Sequence, residues 1–232
     1  NEFLKNHGSS SIAEKGYGMT ENSSTAGVCL VGVNKINSLG IPLPLNTYGI
    51  FERGTDKELK YGEEGEICIT GPTEMLGYLD NEEEEGKVIK IHSDGKKWIH
   101  SEDVGIIDED GFLFFKGRYK RLIPHGGFKL YPSYIEGVIM KHPNIDNCCV
   151  ISIPDKVYGA SPEAHVVIKK DSVSELKKLK EELIKLCQDK LPSYSQPEDF
   201  IFEEDLPLTS VGKVDYKKVE KMRIKKLEES TK

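Results

Sequence analysis

Between residues 40 and 116 the apolar positions come in short runs, each closed by Gly, Pro, Asn or Asp. Runs of that length predict strands rather than helices. They fall at 40–44, 48–52, 65–71, 87–92, 104–108 and 112–116, and this even spacing predicts a compact β barrel or sandwich. Asp108, Glu109, Asp110 and Gly111 lie between two of the runs. Asp and Gly tolerate the left-handed backbone of a tight turn, so the strands on either side should pair as a hairpin.

After Arg118 the pattern changes to alternating helices and strands. Pro132 at a helix start, followed by Ile135, Val138 and Ile139 on one side, predicts a helix ending near His142 and Pro143. Apolar runs at 150–153 and 165–168 predict two strands, joined by a polar connection through Gly159, and a further strand is predicted over 200–203. Ser172, Val173, Ser174 and Glu175 form a capping box, in which the Ser and Glu side chains satisfy exposed backbone amides. It introduces Leu176, Leu179, Leu183 and Leu186 at helical spacing, and that helix should end before Pro192. The segment 217–232 carries a sparse apolar stripe of Val219, Met222 and Leu227 among many Lys and predicts a solvated terminal helix.

The chain has 232 residues, with 32 Lys plus Arg against 39 Asp plus Glu and a net charge of −7. That length suits one large domain or two ordinary ones, and 37% hydrophobic residues with 22 Gly suffice for a packed core. An acidic balance, with the run Glu82 to Glu85, argues against a nucleic-acid partner, which needs a basic face. No stretch approaches the roughly 18 apolar residues of a membrane helix, and residues 1–8 lack the layout of a signal peptide, so a soluble cytoplasmic protein is expected. Cys29, Cys68, Cys148, Cys149 and Cys187 show neither C-x-x-C spacing nor neighbouring His, and suggest no disulfide framework or zinc site. Residues 1–20 hold no complete folding unit, from which a longer chain upstream is expected.

A basic stretch with Lys116, Arg118, Lys120 and Arg121 marks the junction between the β-rich and α+β parts. Around it stand motifs in a telling order. They are Gly16-Tyr17-Gly18-Met19-Thr20-Glu21, Gly65-Glu66-Ile67, Gly77-Tyr78, Trp98-Ile99-His100-Ser101-Glu102-Asp103, Gly117-Arg118-Tyr119-Lys120 and Pro207-Leu208-Thr209-Ser210-Val211-Gly212-Lys213. Any one string is weak, but six in order across nearly the whole chain are not. The chain resembles the adenylate-forming superfamily of acyl-CoA synthetases, firefly luciferase and peptide-synthetase adenylation domains. It resembles their later part, since no Ser/Thr/Gly-rich phosphate loop ending in Pro-Lys-Gly is present.

The resemblance implies a mixed α/β fold: residues 1–118 as the end of a large adenylation domain, barrel-like over about 40–117, and 119–232 as a small mobile α+β domain. It implies an acid–thiol ligase in which a carboxylic acid attacks the α-phosphate of ATP, giving an acyl-adenylate and pyrophosphate, before CoA takes the acyl group as a thioester. Tyr17 matches the aromatic residue against adenine, Thr20 the hydroxyl at the α-phosphate, Glu21 the Mg²⁺ ligand and Asp103 the carboxylate that accepts from the ribose hydroxyls. Arg118 matches the arginine reaching ribose and phosphate, where a planar fork fixes orientation. Lys120 matches the hinge, Gly126 and Gly127 the glycine loop beside the pantetheine tunnel, and Lys213 the catalytic lysine of adenylation. Read without the family, Asp103 is a turn aspartate, Arg118 a surface ion pair, Gly126 and Gly127 a tight turn, and Lys213 a solvated loop lysine.

Three positions depart from the family pattern. Glu102 replaces the usual Gly before the aspartate, Pro124 stands where a basic residue is common, and Tyr134 where an acidic residue precedes Ile-Glu. If the Gly position requires positive φ, Glu102 costs about 1 kcal/mol and threatens to displace Asp103. The departures keep open a catalytically silent paralogue that serves as a nucleotide-binding or scaffolding module. A peptide-synthetase adenylation domain is the nearest enzymatic alternative.

Overall fold

In the computed structural model, residues 2–170 and 175–230 are described, and the chain divides into two units, Asn1–Tyr119 and Lys120–Lys232. The first unit opens with a short helix α1 (Glu2–Asn6) and three two-residue strands, β1 (Gly16–Tyr17), β2 (Gly27–Val28) and β3 (Ile41–Pro42), paired antiparallel in that order. The sheet that follows contains β4 (Thr47–Phe51), β5 (Gly65–Thr70), β6 (Ile89–Ile91), β7 (Lys97–Ile107) and β8 (Leu113–Arg118), with α2 (Glu82–Val88) ahead of β6. Its order is β4-β5-β7-β6, and β8 pairs with the far half of β7. Among the described residues no pairing joins β4 to β6 or β8, so the sheet is open and the expected barrel is not formed.

Central strand β5 is buried throughout, so its two faces carry different chemistry. Ile67 and Ile69 join Tyr17, Tyr48, Ile50, Ile99 and Leu113 in one apolar core, whereas Cys68 packs with Phe51 and Trp98 on the other face. The turn at Asp108 forms as expected: its Oδ1 accepts from the amides of Asp110 (3.1 Å) and Phe112 (2.9 Å), and Gly111 takes φ 82°. The strand expected over 87–92 is shorter, because Lys87 and Val88 end α2. That helix starts where Asn81 Oδ1 accepts from the amide of Glu84 (3.3 Å), and the acidic run 82–85 sits at its amino end, where the helix dipole favours negative charge.

Strand β7 is irregular where it matters most. Glu66 pairs with Val104 and Cys68 with His100, so Ser101, Glu102 and Asp103 together face Ile67 alone. Such a bulge leaves ladder amides without their usual partners. Side chains replace them: Ser101 Oγ donates to the Ile67 carbonyl (2.6 Å) and accepts from the Asp103 amide (3.0 Å), while the Glu102 amide donates to Glu66 Oε1 (3.1 Å). Glu102 takes φ 56°, so the family glycine is indeed replaced by a residue in left-handed backbone. Beside it, both oxygens of the Asp103 carboxylate are engaged, by Tyr17 and Arg118.

In the second unit β9 (Ile123–His125) and β10 (Phe128–Leu130) form a hairpin, followed by α3 (Pro132–Ile139), β11 (Ile145–Asp155), β12 (Gly159–Ile168), α4 (Leu176–Lys190), β13 (Asp199–Glu203) and α5 (Tyr216–Ser230). The sheet runs β10-β9-β12-β11, with β13 parallel to β12. Pro132 starts α3 as expected, and Ile135, Val138 and Ile139 are buried. Helix α4 buries Leu179, Leu183 and Cys187 and ends before Pro192, while the capping box that introduces it lies mostly outside the described residues. The connection expected around Gly159 is in fact a tight hairpin: β11 and β12 pair as far as Asp155 opposite Gly159, and Asp155 Oδ1 accepts from the amides of Val157 and Tyr158.

Helix α5 corrects the expectation of a solvated terminal helix. Val219 is buried with Cys149, Ile151, Val167 and Leu206, and Arg223 reaches the sheet. Its Nε and Nη2 donate to the two oxygens of Glu163 at 2.7 and 2.8 Å, and Glu163 is 1% exposed. His165, between Glu163 (3.1 Å) and Glu203 (2.9 Å), completes the cluster. Burial alone would raise the Glu163 carboxyl, but His165 and Arg223 outweigh it and bring it down to about 2.

Two predictions follow from these elements. Glu163 is depressed below its ordinary 4.5, so its contribution of about 3 kcal/mol is present above pH 4.5 and lost as pH falls toward 2. Urea unfolding should therefore show an acid limb in this window, and Glu163→Gln should flatten that limb while lowering stability by about 3 kcal/mol at neutral pH. Glu102→Gly should raise the unfolding free energy from urea titration by up to about 1 kcal/mol, because glycine takes φ 56° without a Cβ penalty.

Candidate active site

Antiparallel pairing of β7 and β8 sets Asp103 directly opposite Arg118. Arg118 Nε lies 3.0 Å from Asp103 Oδ1, and the Tyr17 hydroxyl donates to Oδ2 at 2.8 Å. Asp103 is 7% exposed, whereas the Arg118 side chain is 62% exposed, so the guanidinium faces solvent from a buried carboxylate. Burial raises the Asp103 carboxyl, with the Arg118 charge and the Tyr17 hydrogen bond opposing the shift. Burial and the neighbouring Asp103 also push the Tyr17 phenol well up, which keeps it a proton donor.

Tyr17 thus does something the sequence did not disclose. Its ring is 8% exposed and meets Tyr48 edge to face, with centroids 6.0 Å apart, and its hydroxyl fixes Asp103. It offers little open aromatic surface in this unit, so support of Asp103 is its visible part. Two glycines permit the packing. A Cβ on Gly27 would lie 1.9 Å from the Tyr48 hydroxyl, and one on Gly18 would lie 1.7 Å from the Ser24 carbonyl oxygen.

Thr20 and Glu21 begin a single helical turn, Thr20–Asn22, with Thr20 exposed and Glu21 half-buried. The Tyr78 hydroxyl donates to Glu21 Oε1 (2.6 Å), and the Glu21 carbonyl accepts from the Met75 amide (2.8 Å). Buried Asn22 donates to Thr73, whose hydroxyl donates to Asn46 (2.9 Å). The 73–78 segment therefore fixes the Glu21 carboxylate. A carboxylate with one oxygen oriented by a phenol is a fitting donor for Mg²⁺, which takes oxygen ligands and few of them from protein.

Within the second unit, Lys213 is exposed on a hydrogen-bonded turn rather than a loose loop. Leu208 bridges Val214, the Thr209 amide donates to the Lys213 carbonyl (2.7 Å), and the Lys213 amide donates to Thr209 Oγ1 (3.2 Å). Gly212 at φ 77° closes the turn, and Asp215 then caps α5 by accepting from the Lys218 amide (3.1 Å). Gly126 and Gly127, at φ 53° and 86°, make the two-residue turn of the β9–β10 hairpin, a conformation that requires positive φ at both positions. Pro124 pairs with Lys129 in that hairpin, and Tyr134 is exposed on α3.

Lys120 begins the second unit, and both of its neighbours are held. Tyr119 lies under the Arg53 guanidinium at 4.4 Å in the first unit. In the second, Arg121 pairs with both oxygens of Glu136, donates to the Val150 carbonyl (3.2 Å) and lies 4.9 Å from the Tyr216 ring.

Two other groupings bear on the chemistry. Glu66, Cys68 and His100 are the one set of metal-ligating types close enough to share an ion among the described residues. The Glu66 oxygens are already taken by the amides of Gly54 and Glu102 and by His100 Nδ1, and burial pushes the Cys68 thiol up, so this is a cross-strand hydrogen-bond cluster. All five cysteines are free and buried, with Cys149 pushed up to about 12 and Cys187 to about 11, which suits small hydrophobes better than nucleophiles. No helix among the described residues is long and apolar enough to cross a membrane.

Comparison with known proteins supplies the frame for this geometry. The AMP-binding enzyme family matches residues 2–79, and the AMP-binding enzyme C-terminal domain matches 134–213. A long-chain-fatty-acid–CoA ligase of Bacillus subtilis is 33% identical over 218 residues, covering 94% of this chain and 36% of that protein. A 2-succinylbenzoate–CoA ligase of Bacillus licheniformis is 36% identical over 200 residues, covering 85% and 39%. The crystal structure of o-succinylbenzoate CoA synthetase from Bacillus subtilis with its acyl-adenylate intermediate superposes with a TM-score of 0.80 at 29% identity, covering 94% of this chain and 42% of that one. The same enzyme has been seen with ATP and a magnesium ion. The chain spans little more than a third of the length of the curated relatives it matches. Two family models, alignment to these ligases over most of this chain and a shared fold lead to one conclusion: the chain belongs to the adenylate-forming superfamily and is of the acyl-CoA ligase kind.

Proposed function

We propose that the full-length protein is an ATP-dependent acid–thiol ligase that makes an acyl-adenylate from a carboxylic acid and passes the acyl group to CoA. The observation that carries this reading is the buried Asp103 carboxylate, held by the Tyr17 hydroxyl and set against a solvent-facing Arg118. On this reading residues 1–118 are the end of a large adenylation domain and 119–232 a small domain that turns about Lys120.

The roles follow from the donors and acceptors. An ionised carboxylate accepts from two ribose hydroxyls at once, and Asp103 is already fixed in orientation before a nucleotide arrives. Arg118 adds a planar fork of donors for ribose and phosphate. Thr20 offers a hydroxyl to the α-phosphate, and Glu21 holds Mg²⁺ with the help of Tyr78. The metal, when bound, neutralises phosphate charge. Tyr17 lies at the adenine, and Gly126 and Gly127 leave room for the pantetheine arm of CoA. Lys213 brings a compact positive charge to the carboxylate and α-phosphate, offsetting their repulsion and the charge that develops as the acyl–phosphate bond forms. The 232 residues contain no phosphate loop, so the chain by itself is read as unable to adenylate. The Asp103 contacts to Tyr17 and Arg118 are present with Glu102 at φ 56°, which supports the reading of an active ligase.

Two variants of the full-length protein test the reading. Lys213→Ala should lower acyl-adenylate formation, followed by pyrophosphate release, by ~10² or more, about 3 kcal/mol of barrier, while transfer from supplied acyl-adenylate to CoA changes little. Equal loss of both steps would remove Lys213 from the assignment. Lys120→Pro locks one torsion near −65° and should slow one half-reaction far more than the other, as measured by single-turnover assays of each.

A further inference from the structure

We propose that Glu66 is a positioning residue for the nucleotide site, setting Asp103 through the backbone of Glu102. The proposal rests on the reading of Asp103 as the ribose acceptor. Glu66 occupies a central, doubly covered strand at 3% exposure, a place where an apolar or β-branched residue would serve the sheet better. A carboxylate buried there needs a purpose and a full set of donors.

Its donors identify the purpose. Oε1 accepts from the amide of Glu102, the residue at φ 56° in the middle of the bulge. Oε2 accepts from His100 Nδ1 (3.0 Å) and from the Gly54 amide (3.3 Å). Ser101 Oγ holds the next amide, that of Asp103, so Glu66 and Ser101 between them satisfy the donors that the bulge takes out of the ladder. Without the Glu66 oxygen, the Glu102 amide would be stranded inside the protein, and the chain would shift toward regular pairing. Asp103, one residue on, would turn with it.

Behind Glu66 stands a relay that keeps it an acceptor. His100 Nε2 lies 2.9 Å from His92 Nε2, and His92 is packed between Phe51 and Trp98. When His100 donates from Nδ1 to Glu66 and accepts at Nε2, His92 donates from its own Nε2. His92 Nδ1 is then an acceptor, and it has no hydrogen-bond partner among the described residues. Burial would raise the Glu66 carboxyl, but His100 together with the amides of Gly54 and Glu102 outweighs it and holds the group below its ordinary range. Glu66, His100 and His92 thus form one hydrogen-bonded line from the sheet interior to the bulge.

The test exploits what Asp103 is read to recognise. Full-length protein should prefer ATP over 2′,3′-dideoxy-ATP, and Asp103→Asn should abolish most of that preference. Glu66→Val should raise KM for ATP at least tenfold, leave KM for the carboxylic acid within about twofold, and erode the preference to the level of Asp103→Asn. Glu66→Gln should restore the preference to within about threefold of the parent, because its carbonyl can take the Glu102 amide while its NH₂ donates to a His100 of reversed tautomer. Should Glu66→Val fail to fold, Glu66→Asp withdraws the carboxylate by one methylene and should show the same selective loss. Full retention of the ribose preference in the folded Val or Asp variant would overturn the proposal, as would equal rises in both KM values. A parent protein with no ribose preference would instead sink the reading of Asp103 itself.

Discussion

A buried backbone amide must find an acceptor, and in β7 three residues stand where the ladder has room for one. The first unit is arranged around that constraint. Ser101 and Glu66 supply the missing acceptors, His100 and His92 keep Glu66 ionised and oriented, and Phe51 and Trp98 enclose them. Pairing with β8 sets the Asp103 carboxylate against Arg118, and the Tyr17 hydroxyl takes its other oxygen. The same bulge requires positive φ at 102. Strain there is local and small, of order 1 kcal/mol, against a set of hydrogen bonds to charged groups each contributing about 1.5–3 kcal/mol. The balance explains how a glutamate can be held in left-handed backbone at that position.

The second unit meets a related constraint with a different device. β12 is buried between β9 and β11 with β13 beside it, yet carries Ser161, Glu163 and His165. Charge in such a strand persists only if it is paired and hydrogen-bonded. Arg223 from α5 and Glu203 from β13 provide this, so the terminal helix is tied to the sheet by an ion pair as well as by Val219. The Lys213 turn leads straight into that helix through Asp215, and its exposed ammonium therefore rests on an anchored base.

How much of this was legible in the sequence depended on whether polarity followed burial. Where it did, as in the Asp108 hairpin, the helix from Pro132 and the leucine face of α4, the elements form as the pattern predicts. Where buried positions are polar, the pattern fails. Ser161, Pro162 and Glu163 interrupt the apolar pattern of β12 and disguise its first half as a loop, and the polar bulge at 101–103 splits β7 in the same way. The terminal helix was misread because Lys217 to Lys226 outweigh the single buried Val219, and the partner of Arg223 lies 60 residues away. An open sheet was taken for a barrel because strand spacing carries no information on closure. Among the candidate site residues, ordered motifs singled out Asp103, Arg118 and Lys213. No local signal could show that Tyr17 reaches Asp103 across 86 residues, or that Tyr78 orients Glu21 across 57.

The residues around Lys120 extend the argument from position to motion. A hinge works when rotation is confined to few torsions, and confinement requires that the chain on each side be held by its own body. Tyr119 is held by Arg53, and Arg121 by Glu136, Val150 and Tyr216. Arg121 is largely buried, and its pairing with Glu136 raises its affinity for the proton against the effect of burial, so this anchor remains charged at any physiological pH. Tyr216 is also the first residue of α5, directly after the turn that carries Lys213. The grip of Arg121 on that ring links the residue beside Lys120 to the base of the Lys213 turn within one unit. On the proposed reading, in which Lys120 is the hinge and Lys213 serves one half-reaction, a rotation about Lys120 would carry Lys213 together with the residues that anchor it.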